Sequence, residues 1–149
     1  IEVARRNNCV MQHGTQIRSK ESIEFAIDML RHPAIGDVLM AKHINSQKRA
    51  NIVHRLPSEP PPHVNYDLWF GPAQWVPYQS SFVHYHWHWF YNCGTGDIGN
   101  DGVHGIDVAR WGSGVDTHLS FVTGYGAKLY FDDDQQFPGA YQIAFEISK

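Results

Sequence analysis

Residues 94–111 read Gly-Thr-Gly-Asp-Ile-Gly-Asn-Asp-Gly-Val-His-Gly-Ile-Asp-Val-Ala-Arg-Trp. Glycines at 94, 96, 99 and 102 precede a run that can be helical from about residue 100. On a helix of about 3.6 residues per turn, this run gives one polar and aromatic face, made of Asn100, His104, Asp107 and Trp111. A glycine-rich loop followed by a face centred on a histidine suits proton transfer on a polar substrate.

The same stretch also fits the G-x-G-x-x-G dinucleotide fingerprint at residues 94–99, with Asp116 about 20 residues further on. Residues 84–93 before it are rich in aromatic residues and histidine, whereas a buried parallel strand is rich in valine and isoleucine. After Trp111 the pattern indicates strands without a second crossover helix. We therefore interpret the stretch as a histidine site and not as a phosphate loop.

Composition limits the class of protein. The chain has 149 residues, a net charge of −3, 42% hydrophobic and 18% charged residues, which is typical of one globular domain. This charge gives no basis for a nucleic-acid partner, and no apolar run approaches the roughly 20 residues that cross a membrane. The two cysteines, Cys9 and Cys93, predict free thiols in a reducing compartment, and hence a cytoplasmic protein.

Aromatic residues and histidines concentrate between Tyr66 and Trp111, which fits either a lined cavity or a large aromatic core. In an extended strand His84, His86 and His88 would share a face and could form a metal site. No carboxylate stands in the alternating positions, so we predict no metal ligands here.

Periodicity predicts an α+β fold. Helices are expected over residues 1–7, about 20–32 with Ser19 as N-cap and an end at residues 32–36, and about 101–111. Strands are expected over residues 9–12 (buried), 38–44, 117–123, 127–132 and 140–148, and a long proline-rich loop over 51–79.

The last strand alternates clearly, with residues 141, 143, 145 and 147 on one face and residues 142, 144, 146 and Ser148 on the other. This predicts an antiparallel sheet with one face covered. We interpret Asp132, Asp133 and Asp134 as a solvated turn, because the remaining ligand spacing of a calcium loop is absent.

Four segments together resemble the Gfo/Idh/MocA (glucose–fructose oxidoreductase/inositol dehydrogenase) family. They are residues 12–19 (Gln-His-Gly-Thr-Gln-Ile-Arg-Ser), 34–38 (Ala-Ile-Gly-Asp-Val), 66–73 (Tyr-Asp-Leu-Trp-Phe-Gly-Pro-Ala) and 94–111 with its Gly-x-His-x-x-Asp core. The resemblance implies a mostly antiparallel sheet with helices on one face, as in an incomplete family C-terminal domain. Residues 1–14 would then be the last helix and strand of an N-terminal Rossmann domain, and residues 15–149 a partial substrate and oligomerisation domain.

The resemblance also implies the chemistry. It predicts part of a nicotinamide-dependent oxidoreductase that acts on a sugar or cyclitol hydroxyl, with NAD or NADP in the intact protein and none bound to this chain alone. The chain by itself would be inactive, and a homo-oligomer would form through the sheet. Two alternatives remain: a non-enzymatic binding or oligomerisation module, and a His-cluster metal-binding protein.

The family's catalytic histidine corresponds to His104, which takes the proton from the substrate hydroxyl. Asn100 stands where the family usually has an aspartate, so it can form hydrogen bonds but cannot place a negative charge beside His104. Asp107 either orients the imidazole or makes a structural contact from helix to loop. Arg18 is predicted to lie in the substrate cleft, and Gln16 near the cofactor.

Three residues before the glycine stretch are predicted to form the substrate wall. Trp87, His88 and Trp89 lie a few positions before Gly94. Aromatic faces stack well on the C–H faces of sugars, so this tripeptide suits contact with a sugar-like substrate.

Overall fold

The computed structural model describes residues 1–32 and 35–147 and confirms the α+β class. Its regular elements are α1 (Glu2–Arg6), α2 (Glu21–Arg31), α3 (Tyr66–Phe70), α4 (Gly96–Asn100), α5 (Gly102–Gly112), β1 (Phe121–Ala127) and β2 (Ala140–Glu146). Two short 3-10 turns, Gln16–Ser19 and His86–Trp89, complete them.

The aromatic residues of the middle of the chain form a core. The buried cluster consists of Ile52, Tyr66, Phe70, Tyr78, Phe82, Trp89 and Phe90. Its rings meet at angles that favour edge-to-face contact, with ring centroids 4.6 Å apart for Phe82 and Phe90 and 5.2 Å apart for Tyr66 and Tyr78. Such pairs stabilise by about 1 kcal/mol each beyond the area they bury. Of the two interpretations of the aromatic cluster, a lined cavity or an aromatic core, the structure thus supports the aromatic core.

One hydroxyl enters this core with its hydrogen bond satisfied. The Tyr66 hydroxyl donates to the Val76 carbonyl oxygen at 3.0 Å, which offsets the cost of burying it. Burial raises the pKa of Tyr66 to about 12.

Helix α2 packs closely across α5 at a glycine, where Ile27 and Leu30 leave little space for a larger residue. A Cβ at Gly112 would lie 3.3 Å from Ile27 Cδ1 and 3.2 Å from Leu30 Cδ1. The predicted helix is confirmed, but Ser19 is not its cap. Lys20 occupies the N-cap position, while Ser19 ends the preceding 3-10 turn.

Strands β1 and β2 pair antiparallel, with Phe121 opposite Glu146 and Ala127 opposite Ala140. The antiparallel prediction is confirmed. Coverage of one face is not found within the described residues, since β1 is exposed along its whole length. A groove of about 320 Å³ separates this sheet from the start of α4.

Three predicted strands are wrong. Residues 9–12 and 38–44 form no strand, and of residues 127–132 only Ala127 is in a strand, as the last residue of β1. The apolar side chains of these segments are largely exposed, 100% for Val10 and 88% for Leu39. A strand needs a neighbour that accepts its backbone hydrogen bonds, and local alternation does not supply one. Parts of three predictions lie outside the described residues. These parts are Pro33 at the predicted helix end, Ala34 in the segment 34–38 that resembles the family, and Ser148 of the last predicted strand.

The aspartate turn is not wholly solvated, which corrects its interpretation. Asp132 is exposed, but the Asp133 side chain is 1% exposed and accepts hydrogen bonds from the Ile52 amide at 3.1 Å and the Gln135 amide at 3.2 Å. Lys128 Nζ lies 3.3 Å from the same carboxylate. A buried carboxylate is stable only with such partners. Asp133 thus links the loop at residue 52 to the turn at residues 132–134 by hydrogen bonds.

Candidate functional site

The glycine stretch is helical rather than a flexible loop. Helix α4 begins at Gly96, and Asp101 separates its last residue, Asn100, from α5. Two of the glycines are required by the backbone: Gly94 lies against the backbone of His88, and Gly96 has a φ of +62° beside the Phe137 ring. These contacts are with protein atoms, and the stretch follows a 3-10 turn rather than a parallel strand. The geometry therefore agrees with rejecting a phosphate loop.

His104 lies on the first half of α5 and is half-buried. Its backbone N–H donates to the Asp101 carbonyl oxygen at 3.1 Å, and its Nδ1 atom is buried and has no hydrogen-bond partner among the described residues. An unsatisfied buried polar atom costs about 1–3 kcal/mol. This nitrogen is therefore suited to a partner that a ligand brings.

Arg18 and Asp107 come together although they are 89 residues apart in sequence. Arg18 Nε donates to Asp107 Oδ2 at 2.7 Å, and Nη2 donates to Oδ1 at 2.9 Å. The guanidinium also lies 4.9 Å from the centroid of a Trp111 ring. The hydrogen bonds from Arg18 hold the pKa of Asp107 below its usual range. Asp107 thus joins α5 to the 3-10 turn of Arg18, the second of the two roles considered for it.

The predicted polar face is broken at its first member. Asn100 ends α4 and is half-buried, so it lies on a different helix from His104. Gln16 is exposed at the start of the 3-10 turn that carries Arg18. The structure therefore groups Arg18, Asp107 and Trp111 by direct contact.

The predicted substrate wall divides into one accessible and two buried residues. Trp87 is 38% exposed, whereas His88 and Trp89 are 4% and 3% exposed, and Trp89 belongs to the aromatic core. Burial lowers the pKa of His88. Trp87 is therefore open to solvent, while His88 and Trp89 lie inside the protein, where the His88 Nε2 atom, like His104 Nδ1, has no hydrogen-bond partner among the described residues. The prediction of a substrate wall was based on composition. Composition indicates that aromatic residues and histidines cluster, but not which of them face solvent.

The three histidines considered as a metal face are not in an extended strand. His86 and His88 lie in the 3-10 turn His86–Trp89, which follows His84. Among residues 1–32 and 35–147, no group of three or more His, Cys, Asp or Glu side chains is arranged to hold a metal ion.

A charged cluster beside the site was missed from the sequence. Arg49 donates from Nε to Asp97 Oδ2 at 3.1 Å and from Nη2 to Asp97 Oδ1 at 2.6 Å, and Nη2 also pairs with Asp101. Its Nη1 donates to the Tyr85 hydroxyl at 3.3 Å. The only local sign was the spacing of Asp97 and Asp101, one helical turn apart and able to meet a common cation.

The cluster is shielded from solvent, so its charges interact more strongly than on an open surface. The side chains of Arg49, Asp97 and Asp101 are 21%, 15% and 24% exposed. The hydrogen bonds to Asp97, with the charges of both carboxylates, raise the pKa of the Arg49 guanidinium. Arg49 therefore stays charged and fixes two acidic side chains where α4 meets α5.

Comparison with known proteins places most of this site in a family segment, while Arg18 and Gln16 lie outside the matched residues. Residues 47–123 match the model described as oxidoreductase family, C-terminal alpha/beta domain, of the Gfo/Idh/MocA group. The match includes His104, Asp107 and Arg49. No curated protein and no solved structure matches the chain. In the part of the chain that the structure describes, no helix combines the length and apolar character needed to cross a bilayer.

Proposed function

The chain belongs to the Gfo/Idh/MocA oxidoreductase family as a C-terminal α/β domain, and we propose that it supplies substrate contacts and proton transfer to a nicotinamide-dependent dehydrogenase. The proposed substrate is a sugar or cyclitol hydroxyl. The observation that carries the proposal is the buried Nδ1 of His104, which lies in the family segment and has no hydrogen-bond partner in the described part of the chain. A nitrogen in this state can accept or donate a proton once a hydroxyl group reaches it.

The proposed reaction is the oxidation of an alcohol to a carbonyl compound. The substrate C–H hydrogen leaves as hydride, the hydroxyl proton passes to His104, and a carbonyl group forms. NAD or NADP supplies the hydride acceptor in this chemistry. Histidine suits the proton role because its ordinary pKa, about 6.5, lies near neutral pH.

Two glycines of the stretch that matches the dinucleotide fingerprint have a packing role in this chain. The glycines at 94 and 96 serve close packing against His88 and Phe137, and the stretch they belong to is the short helix α4. We therefore assign cofactor binding to another domain of the intact enzyme, with Gln16 as the one proposed contact from this chain. The chain alone is then expected to bind neither NAD nor NADP.

Two further side chains have proposed contacts with substrate. Arg18 keeps 43% of its side chain exposed while two of its nitrogens bind Asp107, so it can donate to a substrate hydroxyl. Trp87, 38% exposed, offers an aromatic face for sugar C–H groups. Asp107 then acts by fixing the Arg18 guanidinium.

The test is turnover by the intact enzyme with NAD or NADP and a panel of sugars and cyclitols. His104→Ala is expected to lower kcat by roughly 100-fold or more, the usual effect of losing a general acid or base. His118→Ala is the control, because His118 is an exposed histidine outside the site. Equal turnover in the two variants would remove His104 from the mechanism, and no oxidation of any polyol would refute the proposed activity.

A second candidate function is an oligomerisation module, and the exposed sheet is the observation that favours it. Phe121 and Tyr125 on β1 are 57% and 73% exposed, and Tyr141 and Phe145 on β2 are 39% and 37% exposed. A two-stranded sheet also leaves backbone groups free at both edges. We therefore propose that the protein forms a homo-oligomer through this sheet.

A further inference from the structure

A coil segment holds the start of α5 from outside the helix. Asn45 Nδ2 donates to Asp101 Oδ2 at 3.1 Å, and Arg49 pairs with the same carboxylate. Two residues before Asn45, the His43 ring lies so close to α5 that a Cβ at Gly105 would overlap it. Residues 43–49 therefore lie along the first turns of α5.

Asp101 connects this contact directly to the histidine. Its backbone carbonyl oxygen accepts the N–H of His104 at 3.1 Å and the N–H of Gly105 at 3.2 Å. Its side chain is held by Arg49 and Asn45. A displacement of Asp101 therefore moves the first hydrogen bonds of α5 and the histidine that makes one of them.

Arg49 uses all three nitrogens of its guanidinium to bind protein groups. Its Nε and Nη2 bind Asp97 and Asp101, and its Nη1 binds the Tyr85 hydroxyl. The guanidinium also lies 5.6 Å from the centroid of the Trp89 ring, at the edge of the aromatic core. A group with its donors committed in this way is poorly placed to bind substrate, but it links α4, α5 and the core.

We propose that Arg49 is a positioning residue for His104: it holds Asp101 and Asp97 together and so fixes the α4–α5 junction from which His104 projects. This proposal rests on the proposed function for its catalytic consequence, but its structural part can be tested alone. Without Arg49, two carboxylates one turn apart would repel each other, and like charges at this spacing destabilise a helix.

The first test needs no activity. In the isotope-labelled chain, Arg49→Gln is expected to speed hydrogen exchange at the amides of His104 and Gly105 by roughly 10-fold and to shift the His104 imidazole signals. Arg55→Gln, which removes an exposed arginine that follows residues 43–49 in the chain, should leave both readouts unchanged. Unchanged exchange and imidazole signals in folded Arg49→Gln would overturn the proposal.

A second variant covers the case in which Arg49→Gln does not fold. Arg49→Lys keeps the charge but loses the planar fork that reaches both carboxylates. It should show a smaller increase in exchange at His104 and Gly105 than Arg49→Gln would. Wild-type exchange and imidazole signals in Arg49→Lys, when Arg49→Gln cannot be obtained, would count against positioning by Arg49.

The catalytic consequence is tested in the intact enzyme. Misplacing a catalytic group by about 1 Å can cost as much as 100-fold, so Arg49→Gln should lower kcat by roughly 10- to 100-fold, with KM unchanged. If His104→Ala abolishes turnover but Arg49→Gln retains the wild-type kcat, the inference fails and the proposed function stands. If exchange at His104 responds to Arg49 but no polyol is oxidised, the proposed function fails and the structural positioning stands.

Discussion

Gly94 packs so closely against His88 that alanine at this position should destabilise the whole chain. A Cβ at position 94 would lie 2.8 Å from the His88 carbonyl oxygen and 2.9 Å from its carbonyl carbon. Carbon atoms ordinarily approach no closer than about 3.5 Å. The obstructing atoms are backbone atoms of a turn that also carries the core residue Trp89, so they cannot rotate away as a side chain would.

The magnitude follows from this rigidity. Extra atoms in a well-packed site usually cost about 1–3 kcal/mol, and we expect Gly94→Ala to fall near the upper limit because backbone must move. In a chain of this size each kcal/mol lowers Tm by roughly 2–4 °C, so the expected loss is roughly 6–12 °C.

Gly99→Ala provides a contrast within the same stretch. Its Cβ would meet the exposed side chain of Thr95, whose Oγ1 can turn away by a change of rotamer, while Thr95 Cβ would stay 3.0 Å away. Position 99 lies in α4, where alanine is favoured over glycine by about 1 kcal/mol. The free energy of unfolding should therefore change by no more than about 1 kcal/mol in either direction.

The assay is thermal unfolding followed by circular dichroism, with Gly14→Ala as the control. Gly14 is exposed, and the nearest atom to its added Cβ would be Gln16 Oε1 at 3.8 Å. The expected order of Tm is Gly14→Ala and Gly99→Ala near wild type, and Gly94→Ala well below. If Gly94→Ala unfolds at the same temperature as Gly14→Ala, the close contact between Gly94 and His88 is refuted.

Two other predictions concern the periphery. The hydrogen bond to Asp134 raises the pKa of His54. The pair therefore stabilises the folded state at pH values below the pKa of His54 in the unfolded chain, about 6.5, and this stabilisation is lost as the pH rises through the higher pKa of the folded state. Urea midpoints should fall as the pH is raised through this window, and the fall should disappear in His54→Gln; an equal fall in that variant would exclude this pair as the cause. For the sheet, light scattering should give a mass above the 17.0 kDa of one chain. Tyr125→Lys should lower that mass and Leu56→Lys, at an exposed coil residue, should not; a monomer at every concentration would contradict the oligomer.

The elements that could be predicted from the sequence are those whose pattern is local. Helix α2 has apolar residues at helical spacing, and its observed bounds, Glu21–Arg31, fall within the predicted 20–32. Helix α5 and strand β2 were found in the same way. The segment 38–44 alternates as clearly as a strand, yet Leu39 and Met40 are 88% and 85% exposed. Alternation describes the side chains of one segment, whereas a strand requires a second segment beside it.

Burial of polar groups depended on partners far away in sequence. Asp133 was expected in solvent as part of an acidic triplet, but it accepts the amide of Ile52, 81 residues earlier. No local property of residues 132–134 distinguishes its middle member. In the same way, Trp89 is buried because it packs into the core that includes Ile52 and Phe90.

The surroundings of His104 could be predicted from the sequence only in part: its position on a helix is a local property, whereas the partners of the nearby carboxylates depend on the tertiary structure. Asp101 and Asp107 stand three residues before and three residues after His104, Asp101 directly before α5 and Asp107 within it, so a carboxylate lies on each side of the histidine in sequence. Each carboxylate is paired with an arginine from elsewhere in the chain, Arg49 or Arg18. Because both arginines come from segments without regular helix or strand periodicity, the sequence pattern around His104 could not reveal them. What the motif Gly-x-His-x-x-Asp encodes locally is therefore a histidine on a helix. The two distant arginines add contacts that join both carboxylates to other parts of the protein.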